Sequence, residues 1–403
     1  MPSKSRINWI FCVPSFWGLL TWTSTSILYI AGPIAWQNPG TTGYLILCTM
    51  GLAFATSLLI HSPLYKKVIY SPIRRVPSLG TAPLIGLHML GFLGPILFVY
   101  DIESTSQLSS SFIQTLLQDP LSIRKINLEG IERGMYLGYI GWLASLLTGA
   151  RIANELPNRK FLLLLVVLQT LANLVFLSKV RPLAIVILTI FGYLLAIRKT
   201  ISLKQAFLNL LLVALTFSAI FVIWSTATGK VWSQATDLHP ALETLLLYLT
   251  VGYPYLLNIV EVEIGDGSFP SRVLRPAFTL ASIFFGTSPP PSSILPFYEL
   301  PYGTNVGTAL EPFYRDAGLI GLCIGFFTLS FVVDYLALIA MRHGRIAGFC
   351  LAVVLCMSSA SAFFAPRIGT GPVFLALLLF MVSKLFFYIR SVRSKASDPG
   401  GSA

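Results

Sequence analysis

The chain is 403 residues long, 55% hydrophobic and only 11% charged, with a mean hydropathy of +0.76. A soluble fold of this size needs a far more charged exterior, so a soluble enzyme or cytosolic binding module is excluded. The net charge of +12 is distributed in a way that argues for membrane topology and anionic lipid, and gives no argument for nucleic acid.

Crossing about 30 Å of hydrocarbon takes roughly 20 apolar residues. In chain order the candidate spans cover residues 9–32, 43–61, 83–100, 135–151, 160–178, 182–197, 206–226, 317–340, 346–364 and 369–389. The expected fold class is therefore an all-α polytopic integral membrane protein with about ten transmembrane helices, residues 1–403 forming a single membrane domain. The first span has no small-residue cleavage site and exceeds a signal-peptide core, so it reads as an uncleaved anchor. The sixth is close to the lower length limit.

Residues 101–134 form a smaller outer loop, in which Phe112, Leu116 and Leu117 recur near helical spacing. That spacing fits an amphipathic helix on the membrane surface, or a plain connector. Seven spans precede the long polar segment 228–315 and three follow it. Inside this segment, Leu245 to Val260 is apolar enough to dip into the membrane without crossing. VLRPAFTLASIFFG, from Val273 to Gly286, is a second short apolar piece. Three prolines, Pro289 to Pro291, then force extended backbone. Irregular backbone at membrane depth is tolerated where it lines a protein cavity, so the loop is expected to roof a vestibule. The tail 390–403 is polar and expected to be disordered.

An even number of spans places most of the 28 Lys and Arg residues on one face, among them Lys66, Lys67, Arg151, Arg159, Lys160, Arg342, Arg345 and Lys384. Most of the 16 acidic residues fall on the other. This is the positive-inside pattern, which puts both termini in the cytoplasm and the long loop outside. The five cysteines, Cys12, Cys48, Cys323, Cys350 and Cys356, all lie in apolar spans, so no disulfide framework is implied. No nucleotide-binding glycine pattern occurs, so any reaction must draw its energy from a substrate supplied in the membrane or outside.

Cations placed against the charge trend are the candidates for chemistry. Arg181 ends the turn between the fifth and sixth spans, Arg272 and Arg275 flank the second apolar piece, Arg315 stands at the entrance to the eighth span, and Arg367 lies between the last two. Arginine's planar fork suits phosphate, and several arginines converging from separate loops would suit a pyrophosphate headgroup. The alternative is ion pairing with outer acids such as Glu261, Glu263 and Asp266. Glu311, Asp316 and His239 are candidate general bases; Asp316 is also a candidate helix N-cap. Asn305 and Tyr314 are placed to hydrogen-bond sugar or phosphate. Tyr298, Tyr302 and Tyr314 suit either sugar stacking or anchoring at the membrane interface. Asp334 and His88 are the polar residues at membrane depth. No carboxylate cage or histidine cluster suits a metal, so metal independence and the absence of a cofactor are expected.

The stretch GTNVGTALEPFYRDAGLIG, from Gly303 to Gly321, resembles the motif of the O-antigen polymerases, the oligosaccharide repeat-unit polymerases. Asn305, Thr308, Pro312, Tyr314, Asp316, Gly318 and Gly321 match that pattern. Gly307 and Ala317 stand where aromatic residues are usual. The long loop before the late spans and the arginine after the fifth span also resemble the family, across the whole chain. The resemblance implies a GT-C-like glycosyltransferase of lipopolysaccharide or related polysaccharide biosynthesis at the periplasmic face of a bacterial inner membrane. Its substrates would be undecaprenyl-pyrophosphate-linked oligosaccharides, and a chain-length regulator protein would be a partner. Arginines would stabilise the leaving pyrophosphate, and Glu311 or Asp316 would take the acceptor hydroxyl proton.

An O-antigen ligase shares the donor and the arginine logic but uses a lipid A-core acceptor. A transporter or flippase of lipid-linked sugars would instead spread polar residues along a mid-membrane path and show repeated halves. This chain concentrates its polar residues on one face.

Overall fold

The structure is a computed structural model that describes residues 9–70, 79–104, 111–118, 133–176, 180–197, scattered positions from 208 to 226, 237–262, 265, 267–291, 296, 298–300, 303–304, 306–343, 345–364 and 371–396. Helix dominates. The helices are α1 (Pro14–Ala31), α2 (Gly40–Ile69), α3 (Thr81–Ser104), α4 (Phe112–Gln118), α5 (Arg133–Ala153), α6 (Arg159–Ala172) and α7 (Val180–Ala196). After the scattered positions come α8 (Pro240–Thr250), α9 (Gly252–Val262), α10 (Arg275–Phe285), α11 (Glu311–Phe327), α12 (Val333–Arg342), α13 (Ile346–Ala360) and α14 (Gly371–Ala396). The strands are a two-residue pair, β1 (Tyr298–Glu299) and β2 (Gly303–Thr304), antiparallel with Tyr298 opposite Thr304.

Among the described residues, five helical segments are long and apolar enough to cross a membrane: Gly40–Ile69, Thr81–Ser104, Arg159–Phe176, Glu311–Arg342 and Gly371–Ile389. The pair α8–α9, bent by 43° at Val251, would make a sixth if it is one broken span. This is a membrane protein. The expected ten spans are thus met only in part. Helices occupy nine of the ten expected positions, and the tenth, 206–226, falls mostly outside the described residues. α13 is too short, because 15 residues rise only about 22 Å. It sits inside the bundle, buried from Gly348 to Ser359. α1 carries Thr21, Thr23, Ser24, Thr25 and Ser26, which lower its apolarity. Much of it faces protein, where such residues find partners: Thr25 hydrogen-bonds the Tyr253 hydroxyl at 2.6 Å.

Small residues set the closest crossings, as expected where lipid gives no hydrophobic drive for helices to associate. A Cβ at Gly91 of α3 would lie 2.4 Å from the Gly141 Cα of α5, and one at Gly149 would lie 2.0 Å from the Thr189 carbonyl of α7. The short α4 turns Phe112 inward, 1% exposed, against Phe98. At least this side chain packs on protein, while neighbouring Ile113 is 68% exposed.

End contacts sort the bundle into two poles. At one, the Ala309 amide donates to the Ala362 carbonyl at 2.8 Å, Gly371 abuts Tyr139, and Arg181 stacks on the Tyr139 ring. The start of α11, the end of α13 and the starts of α14, α5 and α7 therefore share a pole. The opposite pole is basic. There Arg151 donates to the Leu79 and Pro157 carbonyls and to Thr81 Oγ1. His343 protonates less readily than usual at this pole, because of its burial and then the charges of Lys384, Arg345 and Arg342.

A buried carboxylate joins three helices near the basic pole. Asp334 is fully buried and accepts the Ser15 amide at 2.8 Å, the Ser15 hydroxyl, and the Ser57 hydroxyl at 2.7 Å. The N-cap of α1, Val13, has no capping side chain. Asp334 supplies the cap from another helix, where a negative group suits the exposed amides. A π-helical turn, Thr328–Val332, precedes it, and the Ser330 carbonyl in that turn accepts Ser57 Oγ at 3.1 Å. Tyr65 of α2 donates to the Asp334 carbonyl. Asp334→Ala should strand the Ser15 amide and lose about 1–3 kcal/mol. A clear drop in thermal unfolding midpoint, with a smaller drop for Ser57→Ala, is the expected outcome; an unchanged Asp334→Ala midpoint would contradict the trans-cap.

Candidate functional site

The site grows from a break in the span Glu311–Arg342. Pro312 sits in the first turn of α11, where its missing N–H costs nothing. Helical geometry then fails at Ala317 (φ −148°, ψ 21°) and Gly318 (φ 57°, ψ −140°). The second pair of angles is open essentially to glycine alone. The break folds the helix tightly enough that a Cβ at Gly321 would lie only 1.8 Å from the Phe313 carbonyl. Gly265 of the long loop approaches the same break, its Cβ position 2.3 Å from the Gly318 amide. Two of the motif glycines thus have a steric reason: they let the span bend and let the loop backbone close on it.

Asp316 lies immediately before the break, fully buried. Its Oδ1 accepts Ser268 Oγ and the Arg272 guanidinium, each at 3.0 Å, and its Oδ2 accepts the Arg272 and Val273 amides at 3.0 and 3.3 Å. Arg272 also donates to Ser268 Oγ at 2.8 Å. The N-cap expectation is therefore corrected. α11 begins five residues earlier, and Asp316 binds the turn that leads into α10 instead.

One turn earlier, Glu311 is 1% exposed and pairs with Arg315 at 2.9 Å, an i,i+4 contact on one helix face. Arg315 reaches the Tyr255 hydroxyl at 3.4 Å, and that hydroxyl donates to the Pro296 carbonyl at 3.1 Å. Tyr255 also packs its ring 5.4 Å from that of Tyr298. Tyr314, 5% exposed, donates to the Val260 carbonyl at 3.1 Å. It acts as a buried strut between α11 and α9, and not as an anchor at the membrane surface.

The remaining candidates divide. Arg181, 7% exposed, lies 4.2 Å from the Phe176 ring centre and 5.6 Å from that of Tyr139, a seating for a cation where water is scarce. Arg275 donates to the Pro291 carbonyl, tying the triple proline to the start of α10. His239 caps α8, its Nδ1 accepting the Ala241 amide at 3.3 Å. His88 is buried against Thr148. Asn305, Tyr302, Arg367, Glu263 and Asp266 lie outside the described residues. The structure thus brings Arg272 to Asp316 and Arg315 to Glu311, and puts Arg181 at the same pole on a different pair of helices.

Sequence reasoning missed three residues here. Ser268 shares Asp316 with Arg272. Tyr255, fully buried, links Arg315 to the proline-rich segment. Glu243, 1% exposed on α8, is a further buried carboxylate of the long loop. The one available signal was a charge or paired tyrosines inside an otherwise apolar run.

Among the described residues no three His, Cys, Asp or Glu side chains converge in a way that could hold a metal ion. No family model, curated protein or solved structure matches the chain. What the geometry defines is a mostly helical membrane protein with two arginine–carboxylate pairs on successive turns at one end of a broken span.

Gly318→Ala would force a side chain into a glycine-only conformation, at about 1–3 kcal/mol. The expected outcome is a lower unfolding midpoint together with easier proteolysis of the 265–275 segment. A variant that unfolds like wild type and keeps that segment protected would contradict the break as described.

Proposed function

We propose that this protein is a metal-independent glycosyltransferase that polymerises lipid-linked oligosaccharide repeat units at the outer face of a bacterial inner membrane. The growing glycan on undecaprenyl pyrophosphate is the donor, and a single repeat unit on the same lipid is the acceptor. The acceptor hydroxyl oxygen bonds to the donor's anomeric carbon, the bond from that carbon to the pyrophosphate oxygen breaks, and undecaprenyl pyrophosphate leaves with the electron pair. The hydroxyl proton passes to a carboxylate.

The observation that carries this reading is the pairing of Glu311 with Arg315 and of Asp316 with Arg272, at the pole opposite the basic one. Arginines held there by fixed partners supply preorganised positive charge for a leaving pyrophosphate. Arg181 at the same pole adds a third cation. Glu311 is the better base of the two carboxylates. Asp316 has four donors on its two oxygens, all from residues 268–273, so both oxygens are already occupied by the loop turn. Asp316 serves instead to hold Arg272 and the loop turn on the span. Asn305 and Arg275 complete the substrate-binding set, while Tyr314 supports it as the buried strut to α9. Spans flanking the site would hold the two lipid tails, so that proximity contributes much of the acceleration.

The test is complementation of a bacterium deleted for its own polymerase, with surface glycan resolved on a gel and membrane expression checked by immunoblot. Wild type should restore a ladder. Arg315→Ala, Arg181→Ala and Glu311→Gln should each cut polymer by about 10²–10³-fold, the cost of losing one group that stabilises the transition state, and leave a single repeat. A wild-type chain that yields only single repeats, or a ladder untouched by Glu311→Gln and Arg315→Ala, would contradict the proposal.

A further inference from the structure

The short helix α10 of the site-bearing loop buries none of its residues. Leu274, Ala277, Phe278, Ala281, Phe284 and Phe285 recur at spacings of three and four and so share one face. Arg275, Thr279 and Ser282 occupy the opposite arc. On that face Leu274 is 48% exposed, Phe284 74% and Phe285 81%, while Ile283, 68% exposed, lies on the side of Thr279. A patch of this kind on a water-facing surface would be an aggregation hazard.

Two observations say what covers it. The turn before α10 is fixed in depth, because the Arg272 and Val273 amides bond to Asp316. Asp316 lies within the first two turns of a span 32 residues long. The first turns of a span lie where hydrocarbon meets headgroups, so α10 starts at that level. α10 also touches α14, another apolar segment able to cross the membrane, so its exposed face continues a surface that already belongs to lipid.

We propose that α10 is a membrane-surface helix, its Phe284 and Phe285 side chains seated among the acyl chains of the leaflet at the site pole. The apolar arc supplies the burial and the polar arc faces water, the arrangement of a helix lying in the plane of the interface. The Gly286 C-cap, at φ 66°, then ends the helix. The consequence is positional. α10 holds the Arg272–Asp316 pair at headgroup depth, within reach of a phosphate carried by a lipid. The seating on lipid holds whatever reaction the site performs, so it stands or falls separately from the polymerase proposal.

The test uses the full chain in vesicles of phosphatidylethanolamine and phosphatidylglycerol, with a trace of radiolabelled phosphatidylglycerol. The photo-reactive residue p-benzoylphenylalanine replaces Phe284, Phe285, Thr279 or Ser282, one at a time. Irradiation should transfer label several-fold more strongly at positions 284 and 285 than at 279 and 282. Equal labelling at all four positions would overturn the proposal. So would cross-linking of 284 and 285 to a second copy of the chain, or to another protein, without lipid. Hydroxyl-radical footprinting of the unsubstituted protein in the same vesicles checks the result without a variant. Phe284 and Phe285 should be protected from oxidation, and their oxidation at the rate of water-exposed phenylalanines would overturn it.

Discussion

A carboxylate removed from water must be surrounded by donors, because leaving it unpaired costs more than almost any packing can return. The span Glu311–Arg342 carries three such carboxylates, Glu311, Asp316 and Asp334, all at or below 1% exposure. Each draws its donors from a different place. Asp334 takes them from α1 and α2 and Asp316 from the turn 268–273, while Glu311 is ion-paired with Arg315 on its own helix. One span thereby fixes the helices at the basic pole and the loop at the other. The arrangement of the site follows from satisfying these three groups.

The division of labour between the two site carboxylates has the same origin. Asp316 is saturated by donors and is therefore a structural ion, in the sense that its charge organises backbone. Glu311 belongs to a local i,i+4 pair whose cation also reaches Tyr255. The break at Ala317 and Gly318 brings both pairs to the same pole as Arg181.

Much of this was legible in the sequence, in proportion to how local the physics is. Apolar runs placed helices at nine expected positions, because each span's environment is uniform along its length. Leu245 to Val260 read as one apolar element, and the 43° bend that divides it into α8 and α9 was not legible. The glycines of the Gly303 to Gly321 stretch were visible as a pattern, but their steric reason was not. Pairings across long separations were out of reach: Asp316 with Arg272 spans 44 residues, and Asp334 with Ser15 spans 319. Asp334 read only as a polar residue at membrane depth; its actual partners make it the cap of α1. The 15-residue length of α13 was also hidden, since a run buried in protein looks as apolar as one facing lipid.

The most direct measurement is reconstitution of the purified protein in vesicles with a polyprenyl-pyrophosphate-linked oligosaccharide repeat unit, in the presence of a metal chelator. Glycan length is followed by mass spectrometry alongside free polyprenyl pyrophosphate. The account predicts glycans that grow by whole repeat units, with one polyprenyl pyrophosphate released for each linkage formed. Pyrophosphate release without longer glycan, growth only when a metal is restored, or no turnover by folded protein would contradict it.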